Sequence, residues 1–164
     1  MSGPESFEEY VAARRGALLR TAYLLTGHRE DAEDLVQVAL VKVVPRWGRI
    51  AGDPEPYVRK VLVHESVNRW RRRRWREVHT DRLPEAPVAG PGADRVALQQ
   101  ALARLAPRQR AVIVLRYYDD LTEAETARVL GVAVGTVKSQ ARDALVRLRE
   151  LVPDLGHELE DVGR

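Results

Sequence analysis

LTEAETARVLGVAVGTVKSQARDALVRLR, residues 121–149, is the stretch that decides the fold class. Thr122 is a helix N-cap candidate and Glu125, three residues on, completes a capping box, which predicts a short helix over 123–130. Gly131 ends it, because a residue without a Cβ enters the left-handed conformation of a helix C-terminus without steric cost. Val132 and Val134 are expected to plug the turn. From Gly135 onward Val137, Ala141, Ala144, Leu145, Leu148 and Leu151 recur at spacings of three and four, which places them on one stripe of a second helix. Ala127 and Gly131 are small enough to let the two helices cross closely. The pattern is a helix-turn-helix, with Thr136, Lys138, Ser139, Gln140 and Arg142 facing away from the apolar stripe. In such a motif the first residues of the second helix enter the major groove, where hydroxyl, amide and basic groups meet base edges and phosphates. An ordinary helical hairpin with a solvated face is the competing reading, and the small residues at the crossing weigh against it.

Composition agrees with an intracellular binder. The 164 residues carry 27 Lys and Arg against 24 Asp and Glu, a net charge of +3, so the distribution of charge matters more than its sum. Between Glu55 and Arg76 stand eight basic residues and two acidic ones. With no cysteine there is neither a disulfide framework nor a thiolate metal site. Apolar runs are too short for a membrane span and the N-terminus MSGPESFEEY lacks a signal-peptide pattern, which makes the cytoplasm the expected location.

Pro and Gly divide the chain. Residues 76–96, REVHTDRLPEAPVAGPGADRV, have no apolar period and read as a flexible linker between an N-terminal domain over 1–75 and a C-terminal domain over 97–151, with a tail over 152–164. About 20 extended residues reach ~65–75 Å, enough for the domains to touch sites two DNA turns apart at about 34–36 Å per turn. Each domain is small, so docking on a partner is expected.

The fold class is all-α, and the N-terminal domain reads as three helices. One runs from Phe7 to Leu25 and ends at Gly27. A second starts near Glu30 with Ala32, Leu35, Val36, Ala39, Leu40, Val43 and Val44 on one broad stripe, until Pro45 kinks or stops it. Val38 and Val41 fall opposite that stripe beside Asp34 and Gln37, and apolar residues exposed next to a carboxylate suggest a partner surface. The third helix opens at Asp53, an N-cap followed by Pro54 at the first helical position, and continues to about Arg74. It interleaves Tyr57, Trp70 and Trp75 with Arg59, Lys60, His64, Asn68, Arg69 and Arg71, Arg72, Arg73 and Arg74. Aromatic faces stack unpaired bases while guanidinium groups follow the phosphates, a composition suited to melted or single-stranded DNA. The competing reading makes Tyr57 and Trp70 core. Four consecutive cations repel unless a polyanion is near, which favours the nucleic acid.

GHREDAEDLVQVALVKVVPRW at 27–47, DPEPYVRKVLVHESVNRWRRRRW at 53–75 and ALARLAPRQRAVIVLRYYDDLTEAETARVLGVAVGTVKSQARDAL at 101–145 resemble the extracytoplasmic-function class of bacterial RNA polymerase sigma factors, in particular the actinobacterial SigE-type subfamily. Two separate signatures in the right order across a linker make the resemblance specific. It implies sigma region 2 in the N-terminal domain and region 4 in the C-terminal one, with regions 1.1 and 3 missing. It also implies that Asp34, Gln37, Val38 and Val41 face the clamp helices of the beta-prime subunit of core polymerase. The minus-ten recognition and melting segment maps to about 50–74, the minus-thirty-five reader to the helix from Gly135. Promoter DNA and core polymerase are the implied partners, with an anti-sigma factor a further one, and no cofactor, metal or catalytic residue is implied. Affinity of residues 97–151 alone for promoter duplex is then expected to be weak.

Three positions depart from the family pattern. Val38 replaces an acidic residue, His64 stands where Asn is expected, and Thr126 replaces an apolar residue, which predicts looser packing of the first helix of the helix-turn-helix. Two other classes fit less well. A helix-turn-helix response regulator would bring a strand-containing receiver domain, and a metal-dependent hydrolase using His28, Glu30, Asp31 and Asp34 would need paired histidines, whereas His64, His79 and His157 are far apart in sequence.

Overall fold

Residues 6–77 and 93–153 are described by the computed structural model, with side chains for 6–73 and 96–153. All the regular elements among them are helical. In the N-terminal lobe α1 spans Phe7–Thr26, α2 Arg29–Val43 and α3 Glu55–Glu77, and a 3₁₀ turn over Val44–Arg49 follows α2 where Pro45 interrupts the α-helical pattern. In the C-terminal lobe α4 spans Ala93–Ala103, α5 Pro107–Ile113, α6 Glu123–Leu130 and α7 Val134–Leu151, with a π-helical segment over Val114–Tyr118 continuing α5. Both ends of the 76–96 stretch are thus helical, while 78–92, Trp75's side chain, His79 and the tail from 154 lie outside what is described.

Local chemistry explains the boundaries. Ser6 Oγ accepts from the Glu9 amide at the start of α1, and Gly27 closes that helix at φ 79°. Asp53 Oδ1 accepts from the Glu55 amide at 3.0 Å, so it caps α3 as its position before Pro54 predicts. The Thr122–Glu125 capping box is formed in both directions, and Gly131 ends α6 at φ 67°, in the left-handed region that disfavours a Cβ. Helix α7 starts one residue earlier than the glycine rule suggests. Ala133 precedes it without a capping side chain, so no local signal fixes that boundary.

Leu18, Ala22, Leu35, Val36, Ala39, Val43, Val58 and Leu62 form the N-terminal core, with Trp47 lying edge-on to Phe7 at 5.3 Å and tilted against Tyr10 at 5.2 Å. Glu55 pins α3 to α1: it accepts from the Tyr10 hydroxyl at 2.9 Å and binds Arg14 bidentately at 2.9 Å. Burial, reinforced by Glu55, pushes the Tyr10 phenol far above its ordinary value. In the C-terminal lobe Val112, Ala127 and Val137 form the crossing of the helix-turn-helix, and Leu102, Leu105, Ile113, Ala144 and Leu148 fill the space behind α7. Val132 packs at the turn, but Val134 does not plug it: it is exposed, because the helix start at Val134 turns that side chain outward.

The lobes pack on each other. Leu25 and Val63 share one apolar cluster with Ala111, Val114, Leu115 and Val129. The buried Arg110 donates to Leu102 O at 2.7 Å and Ala103 O at 2.9 Å in its own lobe and to Leu25 O at 2.6 Å across the seam. Thr21 Oγ1 donates to Asp119 Oδ1 at 2.9 Å, also across it. Burial lowers the Arg110 pKa, although a guanidinium remains charged at any ordinary pH.

Candidate nucleic-acid interface

Helix α7 presents its polar residues as the sequence pattern requires, though not all equally. At 100° per residue Ser139 and Arg142 point away from buried Val137, Ala144 and Leu148, Thr136 and Lys138 fall on opposite flanks, and Gln140 lies nearer the buried stripe. Lys138 and Arg142 are well exposed, Thr136, Ser139 and Gln140 half-buried. Ser139 Oγ donates to Thr136 O at 3.1 Å, so only its lone pairs remain for an outside donor. A cleft of about 290 Å³ runs beside this face, with Arg116 and Arg149 joining Lys138 and Arg142 in its wall and Glu123 as its acid. Arg116 was missed in sequence. Its guanidinium donates to Leu121 O at 2.5 Å and lies 5.8 Å from the Tyr117 ring centre, an arrangement that no local spacing announces.

Helix α3 sorts its cations by face. Tyr57, Lys60, His64, Asn68, Arg71 and Arg72 recur at three and four and form one outward stripe, in which all but the half-buried Tyr57 are exposed. Tyr57 packs partly against the N-terminal core, so it is neither a free platform nor fully core. Arg59 lies on a different side, 3.6 Å from Glu55, and Arg73 sits 2.5 Å from Asp31. Arg69 pairs with Asp34 at 2.6 Å and with Asp31 at 3.4 Å. The mutual repulsion of the arginine run is therefore partly relieved within the lobe. Arg74's side chain lies outside the described residues.

On α2, Asp34, Gln37, Val38 and Val41 also share one row. Val41 is 69% exposed, Val38 half-buried, Gln37 exposed, and Asp34 open to solvent despite Arg69. Lys42, one residue on, pairs with the buried Glu65 of α3. His28, Glu30, Asp31 and Asp34 do not assemble a metal site, and among the described residues no group of three or more potential ligands converges. Glu30 and Asp31 instead occupy the first turn of α2, where the helix dipole favours negative charge. No described helix is long and apolar enough to cross a membrane.

Residues 10–76 match the family model for sigma-70 region 2 and residues 95–148 the one for sigma-70 region 4. The RNA polymerase sigma-E factor of Streptomyces avermitilis is 45% identical over 149 residues, covering 88% of this chain and 83% of that protein. The chain belongs to the sigma-70 family. Within it, the chain falls in the extracytoplasmic-function class: the factor SigM of Mycobacterium tuberculosis, which bears that class in its name, is 33% identical over 158 residues, 90% of this chain and 77% of that one. Among solved structures, the sigma factor RpoE of Bartonella quintana in complex with the anti-sigma factor NepR is 26% identical with a TM-score of 0.74, covering 90% of this chain and 96% of that one. CnrH, solved with the cytosolic domain of CnrY, shares the fold at 21% identity and a TM-score of 0.67, over 90% and 88% of the two chains. A sigma factor with regions 2 and 4 directs promoter-specific initiation by RNA polymerase, and its relatives are transcription regulators rather than enzymes.

Proposed function

We propose that this sigma factor reads the minus-thirty-five duplex with Thr136, Lys138, Ser139, Gln140 and Arg142 of α7 and holds the melted minus-ten strand along α3. The observation that carries the reading is the sorting of α3. Among the described residues Lys60, Arg71 and Arg72 form no ion pair and stand outward with His64 and Asn68, whereas Arg59, Arg69 and Arg73 are turned to carboxylates. An outward cationic stripe beside Tyr57 suits a single strand, whose phosphates follow the cations while its bases stack. Arg59 and Arg73 are accordingly secondary members of the minus-ten set. Asp34, Gln37, Val38 and Val41 dock on the beta-prime clamp helices, because an exposed valine beside a carboxylate is otherwise unprofitable at a surface.

Two elements about two turns apart lie ~70 Å from each other, so lobes packed as here cannot occupy both. Promoter reading requires them to part, with the residues after α3 as the tether. An anti-sigma factor is a fitting third partner, since the likeness to RpoE, a sigma factor solved bound to one, extends over both lobes. The setting is the cytoplasm, where core polymerase and promoters are. The test is transcription in vitro with core polymerase on genomic templates. Promoter-specific transcripts dependent on the protein are expected, and tight DNA binding as a dimer without any such transcript would establish a repressor instead.

A further inference from the structure

Asp34 stands where two surfaces meet. It belongs to the outward row of α2 with Gln37, Val38 and Val41, yet its Oδ2 accepts from Arg69 of α3 at 2.6 Å. Arg69 reaches on to Asp31 Oδ1 at 3.4 Å, and Asp31 Oδ2 accepts from Arg73 at 2.5 Å. The four groups form one alternating chain, Asp34–Arg69–Asp31–Arg73, across the α2–α3 seam. One end opens onto the row read above as the polymerase surface, for Asp34's side chain is 60% exposed, and the other ends inside the arginine run. Two carboxylates balance two guanidiniums, so in the free chain this part of the run offers little net charge to a phosphate. The two end pairs each have one open partner, Asp34 and Arg73, and such pairs are weak and exchangeable, whereas the Arg69–Asp31 link between them is more enclosed.

We infer that this chain is a latch linking the two surfaces. The row holding Asp34 also carries Glu30, so a surface complementary to it is basic. A cation of core polymerase that takes Asp34 removes Arg69's closest acceptor. Arg69 and Arg73 are then left to share Asp31, so one guanidinium charge of the pair becomes available to promoter phosphates. Docking of core and binding of DNA by region 2 are thereby positively coupled, and by reciprocity DNA strengthens the hold on core. Arg69 thus joins Arg73 as a DNA contact that works only in the assembled holoenzyme. The inference rests on the proposed reading of the α2 row.

The experiment compares full-length proteins by fluorescence anisotropy with a single-stranded minus-ten oligonucleotide over a range of salt, free and as holoenzyme. In the free protein Asp31→Asn with Asp34→Asn is expected to raise affinity roughly three- to tenfold near 0.1 M salt and to steepen the log–log salt slope by about 1.4, the contribution of two single-strand phosphate contacts. Glu8→Gln with Glu33→Gln, which makes the same change in net charge outside the latch, should produce a much smaller gain. Arg69→Gln with Arg73→Gln should weaken the holoenzyme's grip on the oligonucleotide by a clearly larger factor than it weakens the free protein's. Equal gains from the two acid-to-amide pairs overturn the latch, as does an equal effect of the arginine pair with and without core. A gain specific to Asp31 and Asp34 while Asp34→Asn alone leaves core affinity intact overturns instead the α2-row reading, and with it the release by polymerase. The arginine pair keeps the test decisive should the aspartate variants misfold.

Discussion

Thr126 is fully buried in α6, and its hydroxyl has no hydrogen-bond partner. On the helix it lies between Val129, which faces the N-terminal lobe, and Ala127, which faces α7, so its position is surrounded by apolar neighbours. A buried hydroxyl without a partner costs about 1–3 kcal/mol. Thr126→Val exchanges that hydroxyl for a methyl of nearly the same size, keeps the β-branch and leaves helix propensity almost unaltered. The substitution should therefore stabilise the protein by about 1–2 kcal/mol, which for a chain of this size raises Tm by roughly 2–4 °C per kcal/mol. Thr126→Ser makes the opposite change, keeping the hydroxyl and deleting a buried methyl at about 1 kcal/mol.

Thermal melts followed by circular dichroism, with urea titrations to check that the m-value is constant, should rank the variants Val above Thr above Ser. Minus-thirty-five duplex binding should be retained by the valine variant, because the residues proposed to read it lie on α7, whereas Thr126 is buried in α6. If valine lowers stability, or serine matches threonine, the hydroxyl is bonded in solution and the argument from its burial fails. The expectation that threonine here loosens α6 is thus replaced: the helix is packed, and the cost lies in one unpaired polar atom.

Val41→Glu should abolish core polymerase binding while changing stability by less than about 0.5 kcal/mol, because the side chain is 69% exposed; a pull-down with core enzyme and a melt decide it. Arg142→Ala, at an exposed position of α7, should weaken promoter duplex binding by the holoenzyme roughly tenfold, in the range of about 1–3 kcal/mol for a base contact, with sequence preference relaxed at one position. Burial raises the Asp119 carboxyl above its ordinary value near 4, an effect only partly opposed by the hydrogen bond from Thr21. The folded protein then keeps a proton that the unfolded chain has released, so between the ordinary and the raised value stability falls as pH rises. Asp119→Asn should flatten that slope in a series of melts, and an unchanged slope would place its origin elsewhere.

What was legible in the sequence was what short-range chemistry encodes. Thr122, Glu125 and Gly131 act on amides and carbonyls within one turn, and the structure has α6 where they put it. Asp53 with Pro54 is equally local, and Ser6, which went unread, acts over the same short range. The start of α7 was placed one residue late because Ala133 carries no capping group. Contacts between distant segments left no such trace. Nothing in the run from Arg69 to Arg74 says that Arg69 and Arg73 meet acids 35 to 42 positions away while Arg71 and Arg72 do not. Nor does anything in the sequence say that Leu25, Val63 and Val129 share one cluster across the two lobes, because an apolar residue bears no mark of which neighbour will cover it. One signal was available and unused: Arg110 stands directly before the apolar run AVIVL, and a cation buried there must find several acceptors.

Arg110 also shows why a seam this well formed can still open. Two of its three acceptors are last-turn carbonyls of α4: Ala103 O, and Leu102 O, which also accepts from the Leu105 amide at 3.1 Å. The guanidinium is therefore first a cap for its own lobe, and parting the lobes costs it a single bond, to Leu25 O, which water can replace. Had all three acceptors belonged to the other lobe, separation would strand a buried charge, a loss of about 3–5 kcal/mol in comparable cases. As built, most of the resistance to opening comes from exposing Leu25, Val63, Val114, Leu115 and Val129, which is a matter of apolar area and is recovered when a partner covers the same residues. The separation proposed for promoter reading would thus leave the Arg110 guanidinium with the two acceptors of its own lobe.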